Sequence, residues 1–362
     1  MGQPSSRKAA AVLTLLALAV AVITIIAYAR WSSTSTGDRS DAAVSLTAWI
    51  ADWEWEAGIE DFRIVAPALD RVQMFGVSFD ENDRLHVTEP FDVMLAAAQD
   101  AAERDGGGRV RIDLTVVNDV VRADGTSAQK DPALLARWMA TEERRAALIE
   151  RIAALAEERG ADGVEIDFEN VRDADWERVI LFYKELHRRL QASGLGLRVV
   201  LEPRAPIEVY AWPDGPEYVM MAYNLYGPHS GPGPKADDSL IRRVTERLAR
   251  LPGSGTLALA AGGFDWSEAG GVSAVTERRA LELARVGGNG EGLTRDGASG
   301  GVHFEYVDEE GRRHTVWFAD RTTLERWIGI AREAGVNRIA VWKLGGFERA
   351  TLEGLRDAAS GE

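Results

Sequence analysis

The sequence predicts an α/β fold: a TIM (β/α)8 barrel, with an inserted hairpin or small α+β segment between strands 7 and 8 and an N-terminal transmembrane helix. Three features point to it. Eight short runs rich in Val, Ile and Leu recur after Ser45, capped helical segments separate several of them, and one long apolar run precedes them all. The 362 residues accommodate one barrel of roughly 250 residues with an anchor and an insertion. With 46% hydrophobic and 27% charged residues, the composition is that of a globular protein.

The apolar run comes first in the chain. Arg7 and Lys8 precede Ala9 to Ala29, in which Thr14 and Thr24 are the polar interruptions, and Arg30 ends it. At about 1.5 Å per residue it spans roughly 30 Å, the thickness of a bilayer's hydrocarbon core. Residues 1–30 are therefore expected to form a signal anchor that holds a single-pass protein in the cell membrane. Positive charge would stay inside and the remainder would lie outside. Ala27-Tyr28-Ala29 also fits a signal-peptide cleavage site, which would make the protein secreted. A buried core helix is a third reading, although such helices are seldom apolar on every face. Residues 31–44, rich in Ser, Thr, Asp and Gly, read as a flexible linker, and the barrel occupies 45–362.

Strands are expected near 45–51, 72–79, 110–117, 162–168, 197–203, 217–223, 256–262 and 338–344. Asp131 is an N-cap followed by Pro132, and the periodic segment from Leu134 to Glu158 stops at Gly160. Asp173 is expected to cap a helix that runs to Gly194, and Asp320 one that ends at Gly335. The interval from Phe264 to Phe318 exceeds an ordinary loop and holds two strand-like runs, His303 to Val307 and His314 to Phe318. Asp308-Glu309-Glu310-Gly311 makes a turn between them. A doubly wound open sheet is the alternative architecture, but no Gly-rich dinucleotide fingerprint follows the first strand.

A formal net charge of −15 argues against nucleic acid as a partner. The absence of cysteine removes thiolate chemistry, and five scattered histidines offer no ligand pair, so no metal and no cofactor are expected. The chemistry falls to carboxylates, hydroxyls and aromatic rings.

The informative stretch runs from Ala161 to Asn170. On a strand, Glu165, Asp167 and Glu169 share one face and Val164, Ile166 and Phe168 the other. The apolar face should meet helices, which turns three acids into the barrel. Like charges about 6.5 to 7 Å apart in a partly desolvated site share protons, which suits a proton donor near neutral pH. A half-exposed strand with an acidic outer face is the plainer alternative.

This stretch resembles the DxxDxDxE signature of glycoside hydrolase family 18, with Asp162, Glu165, Asp167 and Glu169 at its acidic positions. It is most similar to the branch of bacterial spore cortex-lytic N-acetylglucosaminidases. The resemblance implies a TIM barrel with the signature on its fourth strand. It also implies that Glu169 protonates the glycosidic oxygen and that Asp167 orients the substrate's 2-acetamido group, whose carbonyl is the nucleophile. Met220-Met221-Ala222-Tyr223-Asn224 resembles the family's sixth-strand motif, which makes Tyr223 the residue that hydrogen-bonds that group. Val341-Trp342-Lys343-Leu344-Gly345 resembles the eighth-strand segment whose Trp forms the sugar floor, a role an indole face suits. A core role is the plainer alternative for both Tyr223 and Trp342. Glu165, Asn224, Met221 and Trp317 complete the expected substrate-binding set. The implied partner is a polysaccharide containing N-acetylglucosamine, met by a membrane-anchored monomer. Three positions depart from the family pattern: Glu165 replaces Asp or Asn, Asn224 replaces Asp, and Leu114 to Asn118 lacks the Ser-x-Gly-Gly form.

Overall fold

The computed structural model describes residues 43–106, 110–287 and 292–361. The anchor expected at 1–30 and nearly all of the expected linker lie outside the described residues. Val44 is already buried, and its N–H donates to the carbonyl of Ala358 at 3.1 Å, so packed structure begins within the expected linker. Among the described residues no helix is long and apolar enough to cross a membrane.

Eight parallel strands close into a ring: β1 Ser45–Ala51, β2 Leu69–Asp80, β3 Arg111–Val121, β4 Gly163–Asp167, β5 Gly196–Leu201, β6 Glu217–Met221, β7 Thr256–Ala260 and β8 Arg338–Trp342. Each pairs with its successor, and β8 closes on β1 with Thr47 opposite Ala340. Closure leaves no free edge in the ring, which rules out the open-sheet alternative.

Nine helices are described. They are α1 Trp55–Val65, α2 Phe91–Arg104, α3 Pro132–Trp138, α4 Glu142–Glu158, α5 Trp176–Ala192, α6 Asp238–Leu248, α7 Glu277–Gly287, α8 Arg321–Glu333 and α9 Arg349–Ser360. The expected helix from Leu134 to Glu158 is in fact two. Thr141 interrupts it and accepts the N–H of Arg144 at 3.3 Å, and a new cap restarts the helix axis. Asp131 and Asp320 cap as expected, accepting from Ala133 and Thr323. Asp173 does not cap: it begins a 3-10 turn, Asp173–Asp175, that leads into α5 without a side-chain cap. The chain from β5 to β6 crosses as loop rather than helix.

The expected hairpin is present as Val302–Val307 and Arg313–Ala319, within a larger insertion. Gly262–Ser267, Gly271–Val275 and Thr294–Arg295 extend it to a five-stranded antiparallel sheet. Ala280 and Ala284 of α7 pack on one face, against Val302, Phe304, Val316 and Phe318.

Strand alternation sorts β4 as its pattern demands. Val164, Ile166 and Phe168 join the core beneath the helices, where Phe168 stacks on Phe182 of α5 at 5.8 Å. Glu165 faces the lumen. Toward the strand N-termini the lumen is ionic: Arg71 meets Asp113 at 2.5 Å, Arg198 bridges Glu165 at 3.0 Å and Glu217 at 3.2 Å, and Arg338 meets Glu217 at 2.8 Å. Above it lies an apolar layer that includes Trp49, Val200, Val219, Met221, Ala258 and Ala340.

Arg198 has no exposed surface and serves two carboxylates, so its loss strands buried charge. Arg198→Met is expected to destabilise the barrel by about 3–5 kcal/mol in urea unfolding. A loss below about 1 kcal/mol would mean that these carboxyls do not need the guanidinium.

Candidate active site

β4 delivers the acids in sequence from the inside out. Glu165 has no exposed surface, and its carboxylate accepts from Trp49 Nε1 at 2.5 Å, Thr115 Oγ1 at 2.9 Å and Arg198 Nε at 3.0 Å. A group so enclosed and so fully engaged has no surface to offer a substrate. Its expected place in the substrate-binding set is therefore corrected to a supporting one beneath Asp167. Burial raises its carboxyl, and Arg198, Trp49 and Thr115 oppose that rise.

Asp167 comes next, with Val117 of β3 opposite it. Its Oδ1 is shut off from solvent and has no hydrogen-bond partner among the described residues. Burial pushes this carboxyl well above the ordinary range, and the charges of Glu169, Glu165 and Asp119 push the same way against Lys130. Its neutral form is therefore favoured.

Glu169 stands two residues past the strand and is buried to 9% exposure. Asn118, at the mouth end of β3, grips its peptide from both sides: Oδ1 accepts the N–H of Glu169 and Nδ2 donates to its carbonyl, each at 2.9 Å. Lys130 forms an ion pair with Glu169 Oε1. Burial raises the Glu169 carboxyl, and Lys130 holds it back. The Lys130 backbone is left-handed, at φ 54°, and its N–H donates to Asp119 Oδ1 at 2.7 Å.

Residues after the site turn sharply. Asn170 and Asn224 have φ of 55° and 61°, a region that Asn occupies more readily than most residues. Asn170 donates its N–H to Glu202 at 2.8 Å, and Asn224 is exposed at the mouth directly after Tyr223. Burial, together with Asp167, Glu169 and Glu165, raises the Tyr223 phenol well above its ordinary value, so it is a neutral donor within reach of the acids' field. Met221 packs beside it in the lumen.

Trp342 closes the opposite side. It meets Trp49, Trp53 and Phe75 with ring centroids 5.8, 6.2 and 5.1 Å away, and Trp53 is 57% exposed. The site thus joins an acid wall on β4 to an aromatic wall on β1, β2 and β8. Trp317 is not in either wall: it lies in the inserted sheet, stacked on His303 at 4.3 Å.

Four participants escaped the sequence reading. Trp53 and Phe75 were within reach of it, since Trp49, Trp53 and Trp55 fall within seven residues at the end of the first strand. Asn118 occupies the mouth end of a strand next to the acids, a position that favours function in barrels. Nothing in the local sequence marks Lys130, which a loop carries to Glu169. Together these groups can hold a proton above the ordinary carboxylate range beside a surface suited to a pyranose ring.

The Lys130 cation stabilises the Glu169 carboxylate, so Lys130→Met is expected to raise the Glu169 pKa. The acid would then stay protonated to higher pH, as followed by NMR of labelled glutamate. An unmoved titration would show that the ion pair is not formed in solution.

No family model matches the chain. It is 32% identical over 216 residues to YdhD of Bacillus subtilis (strain 168), which is named as a sporulation-specific glycosylase; the match covers 55% of this chain and 51% of the relative. The chain thus spans about half the length of the curated relatives it matches. The crystal structure of the Bacillus cereus spore cortex-lytic enzyme SleL superposes with a TM-score of 0.72 at 20% identity, covering 87% of this chain and 74% of that one. A chitinase from Chromobacterium violaceum also gives 0.72, at 17% identity, over 87% of this chain and 99% of that one. Closed barrel, acid-bearing fourth strand and these comparisons agree: the chain has a chitinase-like TIM-barrel fold and is similar in sequence to a Bacillus sporulation glycosylase and to cortical fragment-lytic enzymes.

Proposed function

We propose that the chain is a retaining, substrate-assisted glycoside hydrolase that cleaves β-linked N-acetylglucosamine in a cell-wall polymer, with peptidoglycan its substrate. The observation that carries this reading is the buried pair Asp167 and Glu169, with Tyr223 neutral beside it. The two carboxyls share protons. At rest Lys130 favours charge on Glu169, which leaves the proton on Asp167. Substrate that draws Lys130 away lets the proton pass to Glu169, which donates it to the glycosidic oxygen.

The substrate's acetamido carbonyl attacks the anomeric carbon as the leaving sugar departs. Asp167, now charged, holds the acetamido N–H and stabilises the oxazolinium. Its otherwise unpartnered Oδ1 is the acceptor that this step requires. Tyr223 donates to the acetamido group, and water admitted by deprotonated Glu169 completes retention. Trp342 supplies the floor under the reacting ring. An extracytoplasmic place at the membrane, or secretion after cleavage, belongs to the same reading and rests on the apolar run in residues 1–30.

A second reading is a glycan-binding barrel without turnover. The Lys130–Glu169 ion pair favours it, because it opposes protonation of the donor. Purified full-length chain incubated with peptidoglycan and chitooligosaccharides distinguishes the two. Release of reducing ends is expected, and Glu169→Gln should lower it by about 10²–10⁴-fold. Asp167→Asn should also slow it, because the amide cannot take on the charge that the oxazolinium requires. Equal release by wild type and Glu169→Gln from every polymer would refute hydrolysis, while calorimetric binding without products would establish the second reading.

A further inference from the structure

A cavity of about 170 Å3 lies between the barrel mouth and the inserted sheet. Its lining includes Trp53, Glu54, Lys235, Glu277, Trp342 and Lys343. Those residues follow β1, β6 and β8 or belong to the insertion, whereas Glu169 follows β4 across the ring. The cavity shares Trp342 with the aromatic wall, and its lining includes no residue of the acid row. If Glu169 faces the leaving sugar, the cavity faces the sugars that stay with the cleaved ring on its non-reducing side.

Three of its four charged groups already have partners. Lys343 is paired with Glu54 and lies over the Trp53 ring at 5.7 Å. Glu277 accepts from Thr351 Oγ1 at 2.7 Å and from the N–H of Glu348 at 3.1 Å. Lys235 is different. Its Nζ donates to the Ala261 carbonyl at 2.8 Å and lies over the Phe264 ring at 5.0 Å, and among the described residues it forms no ion pair with a carboxylate. In a chain with 57 acidic residues against 42 Lys and Arg, a largely buried ammonium without a carboxylate is a costly placement. Among the described residues its remaining N–H donors have no partner.

We propose that this cavity is a subsite for a carboxylate carried by the sugar on the non-reducing side of the cleaved N-acetylglucosamine, with Lys235 as the counter-ion and exposed Trp53 as the stacking surface. The proposal rests on the hydrolase reading and narrows it. A muramyl sugar carries such a carboxylate on its lactyl group or on the peptide attached there, and a chitooligosaccharide carries none. Burial and the neighbouring Lys343 push the Lys235 ammonium down to about 8, so its charge is present below that pH and lost above it.

The test compares kcat/KM for a tetrasaccharide of alternating N-acetylglucosamine and N-acetylmuramic acid with that for chitotetraose, using full-length wild type, Lys235→Met and Lys235→Arg. The ratio of the two values is independent of how much of each variant folds. Lys235→Met is expected to lower it about tenfold or more, Lys235→Arg to keep most of it, and the wild-type ratio to fall as pH rises through about 8. A ratio unaltered by Lys235→Met overturns the proposal.

A third oligosaccharide, with the lactyl groups amide-linked to stem peptides, separates the two carboxylate sources: a kept ratio assigns the peptide, a lost one the lactyl group. The same ratio measured as Kd by calorimetry in Glu169→Gln protein does not depend on turnover. A preserved Kd ratio without hydrolysis sinks the enzyme reading alone, and a flat ratio with hydrolysis sinks the subsite alone.

Discussion

Charge balance along one strand governs this molecule. Three carboxyls rise along β4, and a cation is supplied at each end but not in the middle. Arg198 is fixed under Glu165 inside the barrel, and Lys130 caps Glu169 at the mouth. Asp167 has neither, has one carboxyl oxygen shut off from solvent and lies between two like charges, so the cheapest arrangement places a proton on it. A proton held in the middle of the row can move outward when the outer cation is displaced. The stability of the lower barrel and the reactivity of its mouth are thus two ends of one electrostatic arrangement.

The surrounding fold keeps that row in place. The helix-facing side of β4 buries Val164, Ile166 and Phe168, so the strand cannot rotate its acids outward without exposing apolar surface. Asn118 fixes the Glu169 peptide from the adjacent strand, which matters because Glu169 lies beyond the regular ladder and has no strand partner of its own. Left-handed turns at Asn170 and Asn224 then carry the chain away from the mouth and leave room above the acids. Across the ring, Trp49 belongs to both halves of the site. Its indole N–H donates to Glu165 while its ring packs on Trp342, so the acid wall and the aromatic wall share a residue.

The insertion extends this arrangement sideways. Its sheet contributes part of the wall behind Trp342, where Lys235 adds a positive charge to a site otherwise dominated by Asp119, Asp167, Glu169 and Glu202. Sugar rings crossing from Trp53 toward Glu169 would meet a cation first and acids afterwards. That polarity gives the groove a direction.

By itself the sequence determined whatever depends on period and local chemistry. All eight barrel strands were legible because buried parallel strands read as short apolar runs, and the inward set at 165, 167 and 169 followed from strict alternation. Asp131 and Asp320 were legible as caps because capping is a contact over two or three residues. The break at Thr141 was missed, since apolar spacing on either side continues in phase, and Asp173 misled because an acidic residue before a helix need not bond its N–H groups. Tertiary structure alone decided which acid meets which cation. Arg198 reaches Glu165 from 33 residues away and Lys130 reaches Glu169 from 39, distances at which neither spacing nor composition says which side chains will be neighbours. It also moved Glu165 from the substrate's surroundings to the buried support beneath them, because closing the barrel, and not any local pattern, determines how deep a lumen residue lies.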